Sequence, residues 1–141
     1  MMTAQTMEWV NAMIDWSKYP NFDKKELACK HCGADGITAE LMDILQSIRT
    51  EMAQPIFISS GYRCANHPVE QEKDNPGEHC HGMAVDIIAH GDRALRIIKM
   101  AQERGVRRIG VHQKGNANGR FIHLGIADKV SLAFPVAIWT Y

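Results

Sequence analysis

The 141-residue chain has no excess of charge: sixteen Lys and Arg balance sixteen Asp and Glu. That balance removes bulk attraction to nucleic acid or to an anionic membrane as a basis for function, so neither partner is expected. No apolar run approaches the roughly 20 residues a membrane-spanning helix needs. The first sixteen residues lack a basic stretch followed by an apolar one and carry Glu8 and Asp15, so no secretory signal is expected. Synthesis in a cytoplasm follows, with some other route to any external site of action. Four cysteines (Cys29, Cys32, Cys64 and Cys80) are too few for a disulfide scaffold. There is no internal repeat and no low-complexity segment.

What remains is an ordinary globular composition, 45% apolar and 23% charged. Its length suits one domain over residues 1–141 with a single core, expected as a monomer. Residues 6–14 suit a short helix, and residues 20–36 read as irregular. Thr38 is a good N-cap, and Leu41, Ile44 or Leu45, Ile48 and Met52 repeat at helical spacing before Pro55. Pro55-Ile-Phe-Ile-Ser59 reads as a short buried strand, residues 84–89 as a second apolar strand, and 107–112 and 120–126 as two more. Lys114 to Gly119 supplies the turn between the last two. Asp92 is expected to cap a helix with Leu95, Ile98 and Ala101 inward, closed by Gly105. Phe134 to Tyr141 suits an edge strand. The layout is α+β, a mostly antiparallel sheet with helices packed on it.

Between the first two strands lies a long stretch rich in Gly, Pro, Asn, Glu and His, of the kind that usually carries function. It ends in Gly77-Glu-His-Cys-His-Gly-Met-Ala-Val-Asp86. Asp86 sits inside an apolar strand, where a carboxylate is costly unless paired or metal-bound, and His123 poses the same question in Phe121-Ile-His-Leu124. Two imidazoles and a carboxylate are a common catalytic zinc set, with His79 as the third donor and a fourth position left for water. A loop-capping Asp86 and a satisfied core His123 explain the same residues, and the pattern alone leaves both readings open.

His79-x-x-Gly82-x-Ala84-x-Asp86 resembles the signature of the M15 peptidases, the D-Ala-D-Ala carboxypeptidase and L-Ala-D-Glu endopeptidase group, whose fold is shared with the hedgehog signalling domain. Ser60-Gly-Tyr-Arg63 is similar to that family's upstream motif, Arg120-Phe-Ile-His-Leu124 to its last ligand strand, and Ile138-Trp-Thr-Tyr141 to the end of phage-type members. The resemblance covers the chain from about Phe22 onward. It implies Zn²⁺ held by His79, Asp86 and His123, with Arg63 holding substrate or a developing oxyanion. It further implies hydrolysis of an amide bond in peptidoglycan stem peptides, at the cell wall, by an endolysin or virion component. A domain of the same fold that binds zinc or cell wall without turnover is the alternative.

One departure bears on chemistry. Related phage-type sequences read His-x-Asp at the last ligand, whereas Gly125 stands there here, with Phe121 on the other side of His123. Three residues before His123 is Arg120, where other branches carry Glu or Asp. Without a base the proton-transfer gain, on the order of 10²–10⁴-fold, is forgone. His112 on the adjacent strand is the substitute with the best geometry if the strands pair as a hairpin, with His81 and Glu78 as others. Cys29-Lys-His-Cys32 is half of a structural zinc site, but the other half would need Cys64 and Cys80, which are not closely spaced. Free thiols, or a Cys29–Cys64 bridge after export, are the alternatives. Trp9, Trp16 and Trp139 are expected in the core.

Overall fold

The computed structural model describes residues 14–141, so Trp9 and all of the expected first helix except Ile14 fall outside the described residues. Five strands form one sheet in the order β1-β2-β4-β3-β5. They are β1 (Phe57–Ser60), β2 (Ala84–Ile88), β3 (Arg108–His112), β4 (Phe121–Gly125) and β5 (Ala137–Thr140). All neighbouring pairs are antiparallel except β3 with β5, which is parallel. The chain is thus α+β with a mostly antiparallel sheet, as its pattern indicates.

Alternation along the strands divides the sheet into two faces. Val85, Ile87, Ile109, Ile122 and Leu124 are buried in the core with Leu41, Leu45, Ile48 and Ile97 from two helices, α2 (Ala39–Met52) and α4 (Gly91–Glu103). The intervening positions, Asp86, Arg108, Gly110, His123, Gly125 and Trp139, fall on the opposite face. Register puts Asp86 across from His123, and Gly110 across from both His123 and Trp139. No helix among the described residues is long and apolar enough to cross a membrane.

Two readings of the pattern need correcting. Residues 20–36 are not wholly irregular: Lys24–Leu27 forms a one-turn helix, α1, closed by a capping box. Asp23 accepts from Lys25 N–H at 2.8 Å while Glu26 accepts from Asp23 N–H at 2.8 Å. In α4, His90 rather than Asp92 precedes the first turn, and Leu95 is 68% exposed. The buried residues are Ala94, Ile97, Met100 and Ala101, with Ile98 half-buried against the core, so Ile98 and Ala101 turn inward as expected and Leu95 does not. The helix is thus turned so that Ala94 rather than its neighbour Leu95 faces the core.

Gly82 fastens the long functional stretch to the core. Its carbonyl accepts from both Thr38 N–H (3.0 Å) and Thr38 Oγ1 (2.9 Å) at the start of α2. Its φ is +68°, and a Cβ there would lie 1.9 Å from Gly36 O. Left-handed strain of about 1–3 kcal/mol would add to that backbone clash. Gly82→Ala is therefore expected to lower unfolding free energy by roughly 2 kcal/mol or more in urea titration. Gly119→Ala, with nothing within 4 Å of its added Cβ, is the control and should change it by less than about 0.5 kcal/mol. Equal midpoints for the two variants would refute the role given to Gly82.

Candidate metal centre

The structure brings His79, Asp86 and His123 together. His79 comes from the 3-10 turn Glu78–His81, Asp86 from β2 and His123 from the facing position on β4. All three are buried, at 3%, 5% and 5% exposure. His79 Nδ1 lies 2.7 Å from Gly61 O, and a carbonyl can only accept, so Nδ1 carries the hydrogen and Nε2 presents its lone pair. Asp86 Oδ1 is 3.4 Å from that Nε2 and 3.0 Å from His123 Nδ1.

These separations suit a metal. A tetrahedral zinc with bonds of about 2.0–2.1 Å holds its donors about 3.3 Å apart. The three donor atoms lie within 4.8 Å of one another, and the two separations to Asp86 fall close to that edge length. Burial alone would raise the Asp86 carboxyl, but hydrogen bonds and charge from His123 and His79 outweigh it and hold the group well below the usual carboxylate range. Burial would likewise lower His123, but Asp86 and Glu78 outweigh it and raise the imidazole. The same negative surroundings that hold a proton on His123 are what a cation would neutralise.

Glu78 explains Gly125. Glu78 Oε1 accepts from His123 Nε2 at 2.5 Å, while Oε2 accepts from Arg108 Nε at 3.0 Å and from Ala127 N–H at 3.3 Å. A Cβ on Gly125 would sit 1.9 Å from Glu78 Oε1. The missing side chain at 125 and the carboxylate at 78 are thus one feature: an acid reaches His123 from the turn before β2 instead of from β4. Both Glu78 oxygens are engaged, on His123 Nε2, Arg108 and the Ala127 amide, while Asp86 meets the other ring nitrogen, Nδ1. The residue orients His123 and is not free to take a proton from a group bound between the donors. Its signal in the sequence was an acid directly before the first ligand together with a glycine at the expected acid.

Arg63 likewise has defined partners. Its Nε donates to Ser60 Oγ (3.0 Å), Nη1 to Glu70 Oε2 (3.1 Å) and Nη2 to Asp86 Oδ2 (3.2 Å). Glu70, which sequence reasoning did not single out, lies on the short helix α3 (Pro68–Gln71) with its side chain fully buried. It also accepts from Lys73 Nζ (2.9 Å) and Gly77 N–H (2.8 Å). Burial by itself would raise this carboxyl; the Gly77, Lys73 and Arg63 hydrogen bonds bring it down to about 2.

A cleft of about 370 Å³ opens over the donors, with Arg63, Lys73, Arg108, Phe121, Trp139 and Tyr141 among its walls. Trp139 is not core, as expected from sequence, but half-buried in this wall with its ring 4.9 Å from that of His123. Gly110 makes the room, since a Cβ there would be 2.6 Å from Trp139 Nε1. Arg108 stacks between Phe134 and Trp139, at 5.4 and 5.3 Å from their ring centroids. His112 is on this face but not in the cleft: its ring stacks on Phe121 (4.9 Å, 7° between planes) and packs against Tyr141. His81 is exposed, with its ring edge-on to Phe134.

Two outcomes are expected. Gly125→Ala and Glu78→Gln should each weaken zinc binding about 10–100-fold in a chelator competition, because each loosens His123. Glu78→Ala combined with Gly125→Asp should recover part of that loss, whereas a double variant as weak as Glu78→Ala alone would refute the exchange of one acid for the other. Glu70, held down to about 2, contributes stability that is complete above its ordinary value near 4.5 and disappears as pH falls through about 2. Glu70→Gln should therefore flatten the acid limb of unfolding free energy against pH, removing a loss on the order of 3 kcal/mol; parallel curves for wild type and variant would refute it.

No curated protein matches the chain. A family model described as Peptidase M15 matches residues 20–125, a span that holds all three donors, Arg63, Glu70, Glu78 and Gly125. Members of this family are metallopeptidases, typically of zinc, and a match over well more than half of the sequence makes this chain a member of the M15 peptidase family.

Proposed function

We propose that this protein is a zinc peptidase that hydrolyses an amide bond in the peptide stems of bacterial peptidoglycan, with His79, Asp86 and His123 as the metal ligands. The observation that carries the reading is the buried three-donor cluster at the floor of an open cleft, in a chain of this family. An ion held there supplies an acidified water and polarisation of the scissile carbonyl. The protein's own residues then bind and orient. Three of the five Arg63 N–H groups are used on Ser60, Glu70 and Asp86, leaving two for a substrate carboxylate or developing oxyanion. Arg108 and Lys73 line the same cleft and bring further N–H donors near the carboxylate-bearing ends of stem peptides. Phe121, Trp139 and Tyr141 give the substrate an apolar wall and limit water.

The base is the weak point of the chemistry. Asp86 and Glu78 are fully committed, and His112 stands behind the wall formed by Phe121 and Tyr141. We therefore expect turnover without a dedicated base, slower by the 10²–10⁴-fold such a group provides. That same observation favours a second reading, a zinc-bound cell-wall-binding module without turnover. The resemblance of Ile138-Trp-Thr-Tyr141 to phage-type members supports action at the cell wall as an endolysin or virion component.

Purified protein should contain zinc by elemental analysis and release free amino groups from isolated peptidoglycan. His79→Ala and Asp86→Ala should abolish release. Zinc without any release selects the binding module, and full release by both variants rejects the ligand assignment. His112→Ala should turn over within about threefold of wild type; a fall of 10²-fold or more would make His112 the base after all.

A further inference from the structure

Outside the cleft, a Cys-x-x-Cys pair and a third cysteine distant in sequence converge. The sulfurs of Cys29, Cys32 and Cys64 lie within 4.8 Å of one another. Cys29 and Cys32 belong to the Cys-x-x-Cys-Gly turn after α1, closed by Gly33 N–H donating to Cys29 O at 2.8 Å with Gly33 at φ +75°. Cys64 follows Arg63 directly. The partner is Cys64 alone: Cys80 is outside the cluster, so the pairing of Cys64 with Cys80 considered from sequence does not form.

The environment of these thiols suits a bound metal. Cys29 is 3% exposed, and its sulfur accepts backbone N–H groups, from Cys64 at 3.3 Å and also from Cys32 and His31. His31 Nδ1 lies 3.5 Å from Cys64 Sγ. A tetrahedral zinc with Zn–S of about 2.3 Å and Zn–N of about 2.0–2.1 Å places sulfur and nitrogen donors roughly 3.5 Å apart. All four cysteines are free thiols, so no bridge competes for these sulfurs.

We propose that Cys29, Cys32 and Cys64, whose sulfurs already converge, form a second, structural zinc site independent of the peptidase centre, with His31, which reaches Cys64 but lies outside the three-sulfur cluster, turning in as the fourth donor. Closed four-coordinate sites with three thiolates and one imidazole are of the structural kind, and soft sulfur donors favour zinc over harder-ligand cations. The site would clip residues 29–32 to the turn that carries Gly61 and Arg63. That turn already meets α1 closely: Tyr62 N–H donates to Leu27 O at 2.8 Å, and a Cβ on Gly61 would lie 2.5 Å from the same oxygen. Gly61 O fixes His79, and Arg63 holds Asp86. A metal clip here would therefore set the position of two groups that orient the peptidase donors.

The test uses the full chain purified under reducing conditions. Wild type should carry about two zinc per chain, and His79→Ala with Asp86→Ala about one. Adding Cys32→Ser and Cys64→Ser to that background should bring it to none, while Cys80→Ser should remove nothing. Cobalt replacement in the His79→Ala, Asp86→Ala protein should give an intense thiolate-to-metal charge-transfer band, which needs no cysteine variant to fold. Loss of all zinc in the His79→Ala, Asp86→Ala protein would overturn the proposal. So would absence of the cobalt band, or a Cys29–Cys64 disulfide found by mass in metal-free protein. None of these results depends on whether peptidoglycan is cut.

Discussion

The buried carboxylate of Asp86 governs this structure. Placed mid-strand at 5% exposure, it loses most of its hydration and must be met by positive charge and donors. Arg63 meets Oδ2, and the two imidazoles meet Oδ1. Each partner then needs its own. Glu70 balances Arg63 and is itself balanced by Lys73 and the Gly77 amide; Glu78 balances His123 and is balanced by Arg108. The network runs from the sheet to the surface in alternating charge, and no member can be removed without stranding a neighbour. This is why the long stretch between β1 and β2 is ordered despite its polar composition.

Much of the fold was legible because its cause is local. The five strands follow from apolar runs bounded by Gly, Pro and Asn, and α2 follows from its Thr38 cap and helical spacing. What was not legible depended on rotation or distance. Ala94 and Leu95 are adjacent candidates for the inward face at the start of α4, so only packing against the rest of the fold decides that Ala94 turns in. The parallel pairing of β5 with β3 has no local signature, and Trp139 reads as core until Gly110 is seen opposite it. Of the candidate site, the polar residues inside apolar strands were visible as an anomaly. Glu70 was not, because nothing in Pro68-Val-Glu-Gln71 marks a buried acid until Arg63 folds over it.

Gly110 and Gly125 show how absence of a side chain can carry function. They stand on neighbouring strands on the same face as His123, Gly110 directly across from it and Gly125 two residues along its own strand. One admits Trp139 and the other admits Glu78, so His123 is held between an aromatic ring and a carboxylate. From sequence, Gly125 reads as a lost acid. In the fold it is the space into which the acid comes from elsewhere, which restores the orientation of His123 but not a free base. The two roles that a single acid near the last ligand might serve are separable, and this chain retains one.

The convergence of supports on the turn Gly61-Tyr-Arg-Cys64 has an energetic reason. A peptidase centre must hold its donors to within about half an ångström, and short irregular segments seldom do that unaided. Here the turn is tied to α1 through the Leu27 carbonyl, to the ligand turn through Arg63 N–H on His79 O at 3.2 Å, and to the Cys29 sulfur through Cys64 N–H. Those ties reach two separate parts of the chain, the segment Leu27–Cys29 and the ligand turn at His79, so the turn is held from both sides. Because Gly61 and Arg63 act on His79 and Asp86 from this one turn, its rigidity limits the spread of donor positions at the centre. The segment before α2 is therefore part of the machinery of the site even though none of its residues enters the cleft.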